Sequence, residues 1–170
     1  MYPLIQFFFN LCLLRRAPQD LPTSTALFRL VLVADLLAGL LLGFVVDISP
    51  LLALAEGVVD VIFSLSLLYL GLRFLDRLPR FQQTATALLG ASALLGCVAI
   101  LPLSLLTDGR SGEQSAYAGL LFLALIAWAI LVTGHILRHS FDLRLGQGVL
   151  IAMGYNLIAY TLISGIFSGS

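Results

Sequence analysis

Five apolar runs, each long enough to cross a bilayer, take up most of this chain. The hydrocarbon core of a membrane is about 30 Å thick, which a helix crosses in about 20 residues at about 1.5 Å per residue. The runs over 26–46, 51–75, 84–106, 116–137 and 145–167 reach that length. In lipid, only a helix satisfies every backbone N–H and C=O within a single run. The composition agrees: 60% of the 170 residues are hydrophobic and 11% are charged, against roughly 25% charged in soluble domains. The expected fold class is all-α: an integral membrane bundle of five transmembrane helices over 25–170, with no segment left for a separate soluble domain.

The basic residues orient that bundle. All nine are Arg. Arg15, Arg16 and Arg29 precede or open the first run, Arg73, Arg77 and Arg80 lie between the second and third, and Arg138 and Arg144 lie between the fourth and fifth. Only Arg110 falls on the other side. Short loops rich in Lys and Arg stay cytoplasmic, so the N-terminus is expected inside and the C-terminus outside. The lack of Lys beside abundant Leu, Ala and Arg suggests a GC-rich bacterial genome, which makes the expected location the bacterial inner membrane. The formal net charge is zero, which argues against nucleic acid as a partner.

Residues 1–24 form a separate segment on the cytoplasmic side. Pro3 to Leu14 is very apolar, with Phe7, Phe8 and Phe9 at its centre, but is only about a dozen residues long. That is too short for a span. It also lacks the preceding positive charge of a signal peptide. The stretch is read as an interfacial helix anchored by Arg15 and Arg16. Ala17-Pro18-Gln19-Asp20-Leu21-Pro22 breaks it, and Thr23, Ser24 and Thr25 offer caps for the first span. Asp47-Ile48-Ser49-Pro50 is expected as a tight turn, Pro102 as a kink in the third span, and 138–144 as a loop.

Ionisable residues inside a bilayer are costly, so each is a functional candidate. Asp35 lies about 14 Å into the first span, and Asp60 reaches a similar depth in the second from the opposite face. Asn156 is near the middle of the fifth. Glu56 precedes Asp60 by four residues and shares its helical face. Asp35, Glu56, Asp60 and Asn156 therefore form a candidate intramembrane polar cluster. Two carboxylates at one depth repel unless a proton or cation lies between them. The competing reading is a protonated acid hydrogen-bonded to neighbouring helices and holding the bundle together.

Small residues mark close helix contacts. Gly39 and Gly43 are four apart in the first span, and Ala87, Gly90, Ala91, Ser92, Ala93 and Gly96 make a stripe in the third. Gly39, Gly43, Gly90 and Gly96 are the candidate packing positions, because in lipid helix association rests on close packing. Tyr155, Tyr160 and Trp128 are read as packing aromatics. His135 and His139 share a face but lack further ligands at metal-site spacing, and are read as a solvated pair at the membrane edge. Cys12 and Cys97 are read as small apolar residues. No catalytic, metal or cofactor motif is present, and no internal repeat of the kind found in inverted-repeat transporters.

The layout resembles the Yip1 family of five-span membrane proteins, particularly its short bacterial members. The resemblance rests on Arg15-Arg16-Ala17-Pro18-Gln19-Asp20, on the stretch Gln82-Gln83-Thr84-Ala85-Thr86-Ala87-Leu88-Leu89-Gly90-Ala91-Ser92 ending at Leu101-Pro102-Leu103, and on Leu145-Gly146-Gln147-Gly148. It implies a five-helix fold, self- or hetero-association in the membrane, and no enzymatic activity. The acidic Tyr- and Gly-containing signature of eukaryotic members has no counterpart here, so their trafficking role does not carry over. The functional expectation is a non-enzymatic scaffold or adaptor, whose partners are the lipid bilayer and other membrane proteins or a second copy. The alternative is a small transporter or ion-translocating subunit built on the intramembrane carboxylates. A lipid-modifying enzyme would need more than Asp76, Asp142 and His139 offer.

Overall fold

The structure is a computed structural model, described here over residues 2–107 and 113–167. It consists of six helices: α1 (Tyr2–Cys12), α2 (Thr25–Val45), α3 (Pro50–Phe74), α4 (Phe81–Thr107), α5 (Glu113–Phe141) and α6 (Leu145–Phe167). Single 3₁₀ turns at Pro18–Asp20 and Leu78–Arg80 precede α2 and α4. Helices α2 to α6 are each long and apolar enough to cross a membrane. Their outward faces carry Leu51, Ile62, Phe74, Leu120, Leu123, Leu150 and Leu157, all exposed. A soluble protein could not leave that much apolar surface open, whereas in hydrocarbon it is the ordinary state. The chain is a five-span membrane protein.

Local sequence sets the helix ends. Ser24 and Ser49 cap α2 and α3, each side chain accepting from the N–H three residues on, Leu27 and Leu52, at 3.3 Å. Pro50 follows as the first helical residue, where its missing N–H costs nothing. Four helices end on a non-glycine residue with left-handed backbone: Leu14, Asp47, Asp76 and Asp142, with φ between 52° and 61°. In each case the next N–H bonds back to a carbonyl five residues earlier, as Ile48 does to Gly43 at 2.9 Å and Arg77 to Leu72 at 2.7 Å. This is the reverse turn that satisfies the orphaned carbonyls of a helix end. Asp tolerates the conformation better than most residues. The turn at 47–50 is as expected, and α4 continues as a helix through Pro102 to Thr107.

Helix α4 is the hub. Thr84 to Ala87, Leu89 to Ala91 and Ala93 are all buried. It packs most extensively against α2 and then α5, α5 packs against α6, and α3 joins α2 to α6. The five spans thus form a ring. The expected short N-terminal helix is present, and one side of it is sunk against α4. Phe8, Leu11 and Cys12 are buried in a cluster with Leu27, Val31, Ala87 and Ile136. The Phe8 ring covers Gly90, nine residues beyond the start of α4 and so about 14 Å along it. The other side presents Ile5, Phe9 and Leu13 outward.

The Arg-rich end departs from expectation at 138–144. Helix α5 runs to Phe141 instead of ending near Leu137. Hydropathy falls off there, but side chains hold the last turn together. Arg80 donates to the carbonyls of His139 at 3.3 Å and Ser140 at 3.5 Å, and to Asp142 at 3.2 Å. A cation at the negative end of a helix is stabilising. Ser140 donates to the Ile136 carbonyl, and its hydroxyl lies 2.8 Å from that of Thr84. Nor is His135 solvated as expected, although His139 is only half-buried. His135 is 3% exposed, and its Nε2–H donates to the Arg16 carbonyl at 2.9 Å. The N-terminal segment is tied down further by Gln83 to the Leu21 carbonyl at 2.8 Å and by Gln19 to the His139 carbonyl at 3.0 Å. Once 13–24 folds over the end of α5, the imidazole is covered. Arg110 lies outside the described residues.

Candidate functional site: a polar layer inside the helical ring

The ring is not filled. Between α2 and α6 lies a cavity of about 890 Å³. It runs from Leu75, Phe141 and Leu143 at the Arg-rich end to Leu42, Leu103 and Phe122 toward the other. On α3 it extends from Asp60 to Phe74, fourteen residues and so about 21 Å of helix. Its wall is mainly Leu, Ile, Ala and Phe side chains, interrupted by a mid-depth group of polar residues, Asp35, Asp60, Ser64, Ser92, Tyr155 and Asn156, and by Thr133 nearer the Arg-rich end.

Helix geometry explains why these meet. Asp35 is ten residues after Thr25, Asp60 ten after Pro50, Ser92 eleven after Phe81, and Tyr155 ten after Leu145. Each is therefore about 15 Å along its helix, half of a bilayer of about 30 Å. The helices alternate in direction, yet equal distance from either face is the same mid-depth. Ser64 is one turn from Asp60 on the same face of α3. Ser92 and Asp60 share both cavity walls with Asp35, and both are close enough to act on its carboxyl electrostatically. The hydroxyls of Ser64 and Tyr155 are hydrogen-bonded. The Tyr155 ring stacks on Phe63 with centroids 6.0 Å apart, fixing its direction.

The carboxylates also border a second, smaller cavity of about 110 Å³, lined by Gly39, Leu42, Gly57, Gly96 and Ser92. These residues lie on the side of Asp35 and Asp60 away from the Arg-rich end. Asp35, Leu42, Asp60, Ser92 and Gly96 line both spaces, so the small one is a side recess of the large cavity with the acid pair at their junction.

Of the four expected cluster members, Asp35, Asp60 and Asn156 line the large cavity. Asn156 donates to its own Ala152 carbonyl at 2.7 Å. Glu56 does not join them. It is half-buried on α3, one turn nearer the far end and outside both linings. Ser64, Ser92 and Tyr155 were not expected. Counting residues from each helix start places Ser92 and Tyr155 in the same layer as Asp35 and Asp60, with Ser64 one turn away.

The four candidate packing glycines divide similarly. A Cβ on Gly43 would lie 2.5 Å from that of Ala53, so this glycine sets the approach of α2 to α3. Gly96 lies against Ala38 and Leu42 of α2, and Gly90 under Phe8. Gly39 has open space in front of it and serves as cavity wall. A seam of backbone against backbone lies elsewhere, between α5 and α6. There a Cβ on Gly134 would meet the Val149 backbone at 2.8 Å, and one on Gly148 would run into the Gly134 carbonyl oxygen.

Cys12 and Cys97 are both free thiols, the first buried and the second exposed. Among the described residues, no three His, Cys, Asp or Glu side chains come together as a ligand set for a metal ion. No family model matches the chain, and neither a curated protein nor a solved structure shows a significant match to it.

Proposed function

We propose that this chain is a small membrane transporter or ion-translocating subunit, in which Asp35 and Asp60 bind a proton or a cation at mid-membrane. The observation that carries this reading is the acid pair at mid-depth in the wall of a cavity that runs through the ring of helices from the Arg-rich end to beyond the pair. Charged groups in lipid face the interior and mark translocation paths. Two neighbouring carboxylates in an apolar wall need a proton or cation between them. Serine and tyrosine hydroxyls on both sides supply further oxygens. The Arg-rich end is cytoplasmic in this reading, with the N-terminus inside, the C-terminus outside, and the bacterial inner membrane as the location.

The test is proton flux into proteoliposomes that enclose a pH-sensitive dye. The expected result is a flux abolished by Asp35→Asn and by Asp60→Asn, with both variants eluting as wild type on gel filtration. Equal flux in wild type and variants overturns the reading.

A second reading, a non-enzymatic Yip1-like scaffold or adaptor, is favoured by Glu56. Among the described residues this intramembrane carboxylate has no hydrogen-bond or ion-pair partner, and such a group calls for one. A helix of another membrane protein, or of a second copy, would supply it. Crosslinking from Glu56→Cys to a neighbouring chain in native membranes supports this reading. Crosslinking only to solvent-borne reagents counts against it.

A further inference from the structure

The size and wall of the cavity say more about the ligand than the carboxylates do. A bare inorganic cation would occupy only one corner of about 890 Å³. It would leave the apolar remainder, walled by Leu68, Phe122, Ile126 and Phe141 among others, without a use. Sites that take drug-sized molecules have volumes of roughly 300–1,000 Å³ and mostly apolar walls with a few placed polar groups, which is the pattern here. Charge complementarity then fixes the ligand's sign. The side chains in the wall that carry formal charge are Asp35 and Asp60, and no Arg is among the lining residues. Tyr155 presents a flat ring beside them, held by its stack on Phe63, and a cation gains from an aromatic face within about 6 Å.

We propose that the cavity binds a lipophilic organic cation, a protonated amine or onium group on an apolar body of several rings or an alkyl chain. The charge lies between Asp35 and Asp60, against Tyr155, and the apolar body extends along α3 and α5 toward the Arg-rich end. This deepens the function proposed above and rests on it. A proton on the acid pair and the organic cation compete for the same charge, so each displaces the other. Apart from the two acids, Tyr155 is the one titratable side chain in the wall. Helices α4 and α5 contribute none, and Ser92 is the polar neighbour from α4.

The experiment is equilibrium binding of tetraphenylphosphonium to the purified protein in nanodiscs, with neutral triphenylphosphine oxide as control. Saturable binding of the cation is expected, with at least tenfold weaker binding of the neutral compound. Asp35→Asn and Asp60→Asn should each weaken the cation at least tenfold and leave the neutral compound unchanged. Acidification should release the bound cation from the wild-type protein, a readout that needs no variant to fold. Equal affinity for charged and neutral compounds, or binding unaffected by both variants and by acid, overturns the proposal. Absence of tetraphenylphosphonium binding alongside an Asp-dependent proton flux overturns this inference and leaves the proton site standing. Absence of both removes both.

Discussion

Replacing Gly134 by Ala tests whether the α5–α6 seam rests on backbone contact. A Cβ at Gly134 would lie 2.8 Å from Val149 Cα, 2.8 Å from its Cγ2 and 2.9 Å from its N. Carbon atoms in good contact sit about 3.5–4.0 Å apart, so the helices must separate by roughly 1 Å. Two of the three atoms are backbone, and no rotamer change relieves the clash. A gap of 0.5–1 Å forfeits about a quarter to a half of each dispersion contact. If the seam carries as many contacts as one buried leucine, roughly 40 pairs at about 0.15 kcal/mol, the loss is about 1.5–3 kcal/mol. Alanine recovers up to about 1 kcal/mol of helix propensity, leaving a net destabilisation of about 0.5–2 kcal/mol. Titration with SDS in mixed micelles, followed by far-UV circular dichroism and by the fluorescence of Trp128 on α5, measures it. Gly154→Ala is the control, since nothing lies within 4 Å of that position; it should be neutral or slightly stabilising. A Gly134→Ala protein within about 0.5 kcal/mol of wild type, below the usual range for overpacking, would refute the argument.

Three further outcomes follow from other contacts. Phe8→Ala should empty the site over Gly90 and destabilise by about 2 kcal/mol in the same titration. That is less than the 3–5 kcal/mol of a soluble core, because lipid is itself apolar; no change would mean that α1 does not pack there. Leu14→Gly should stabilise by about 1 kcal/mol, since Leu14 has a φ of 61° and left-handed backbone costs a non-glycine residue about 1–2 kcal/mol. A loss of stability would show that the Leu14 side chain outweighs that strain. Asp142 has its carboxyl held below the usual carboxylate range, first by the Arg77 hydrogen bond and also by Arg80. Its folded pKa lies below the unfolded one, so its contribution is present above about pH 4 and is lost as pH falls through the folded pKa. Unfolding measured from pH 5 down to pH 3 should therefore show an acid-dependent loss that is smaller in Asp142→Asn, and an equal slope in both would count against the pairing.

The amphipathic demands of lipid made much of this chain legible. Each span's existence, type and approximate limits follow from its length and hydropathy, because backbone satisfaction in hydrocarbon leaves no other choice. The mid-depth of Asp35 and Asp60 follows from the fixed rise of a helix. The turns at Asp47–Pro50 and at Ser24 follow from local chemistry that needs no neighbour. Where polar side chains follow an apolar run, sequence could not separate loop from helix. The last turn of α5 persists because Arg80, sixty residues away from Ser140 in the chain, reaches its carbonyls.

Which faces converge was decided by tertiary structure alone. Glu56 and Asp60 share a helical face by sequence, yet Asp60 lines the cavity while Glu56, one turn nearer the far end, lies outside it. Among the glycines, composition could not distinguish Gly39, which lines a void, from Gly43, which sets a helix contact, or show that Gly134 and Gly148 would meet. His135 could not be known to lie under the N-terminal segment. A small residue or a polar one states what a site permits. Rotation about each helix axis, set by packing against α4, decides whether that permission is used for a contact, a cavity wall or a ligand.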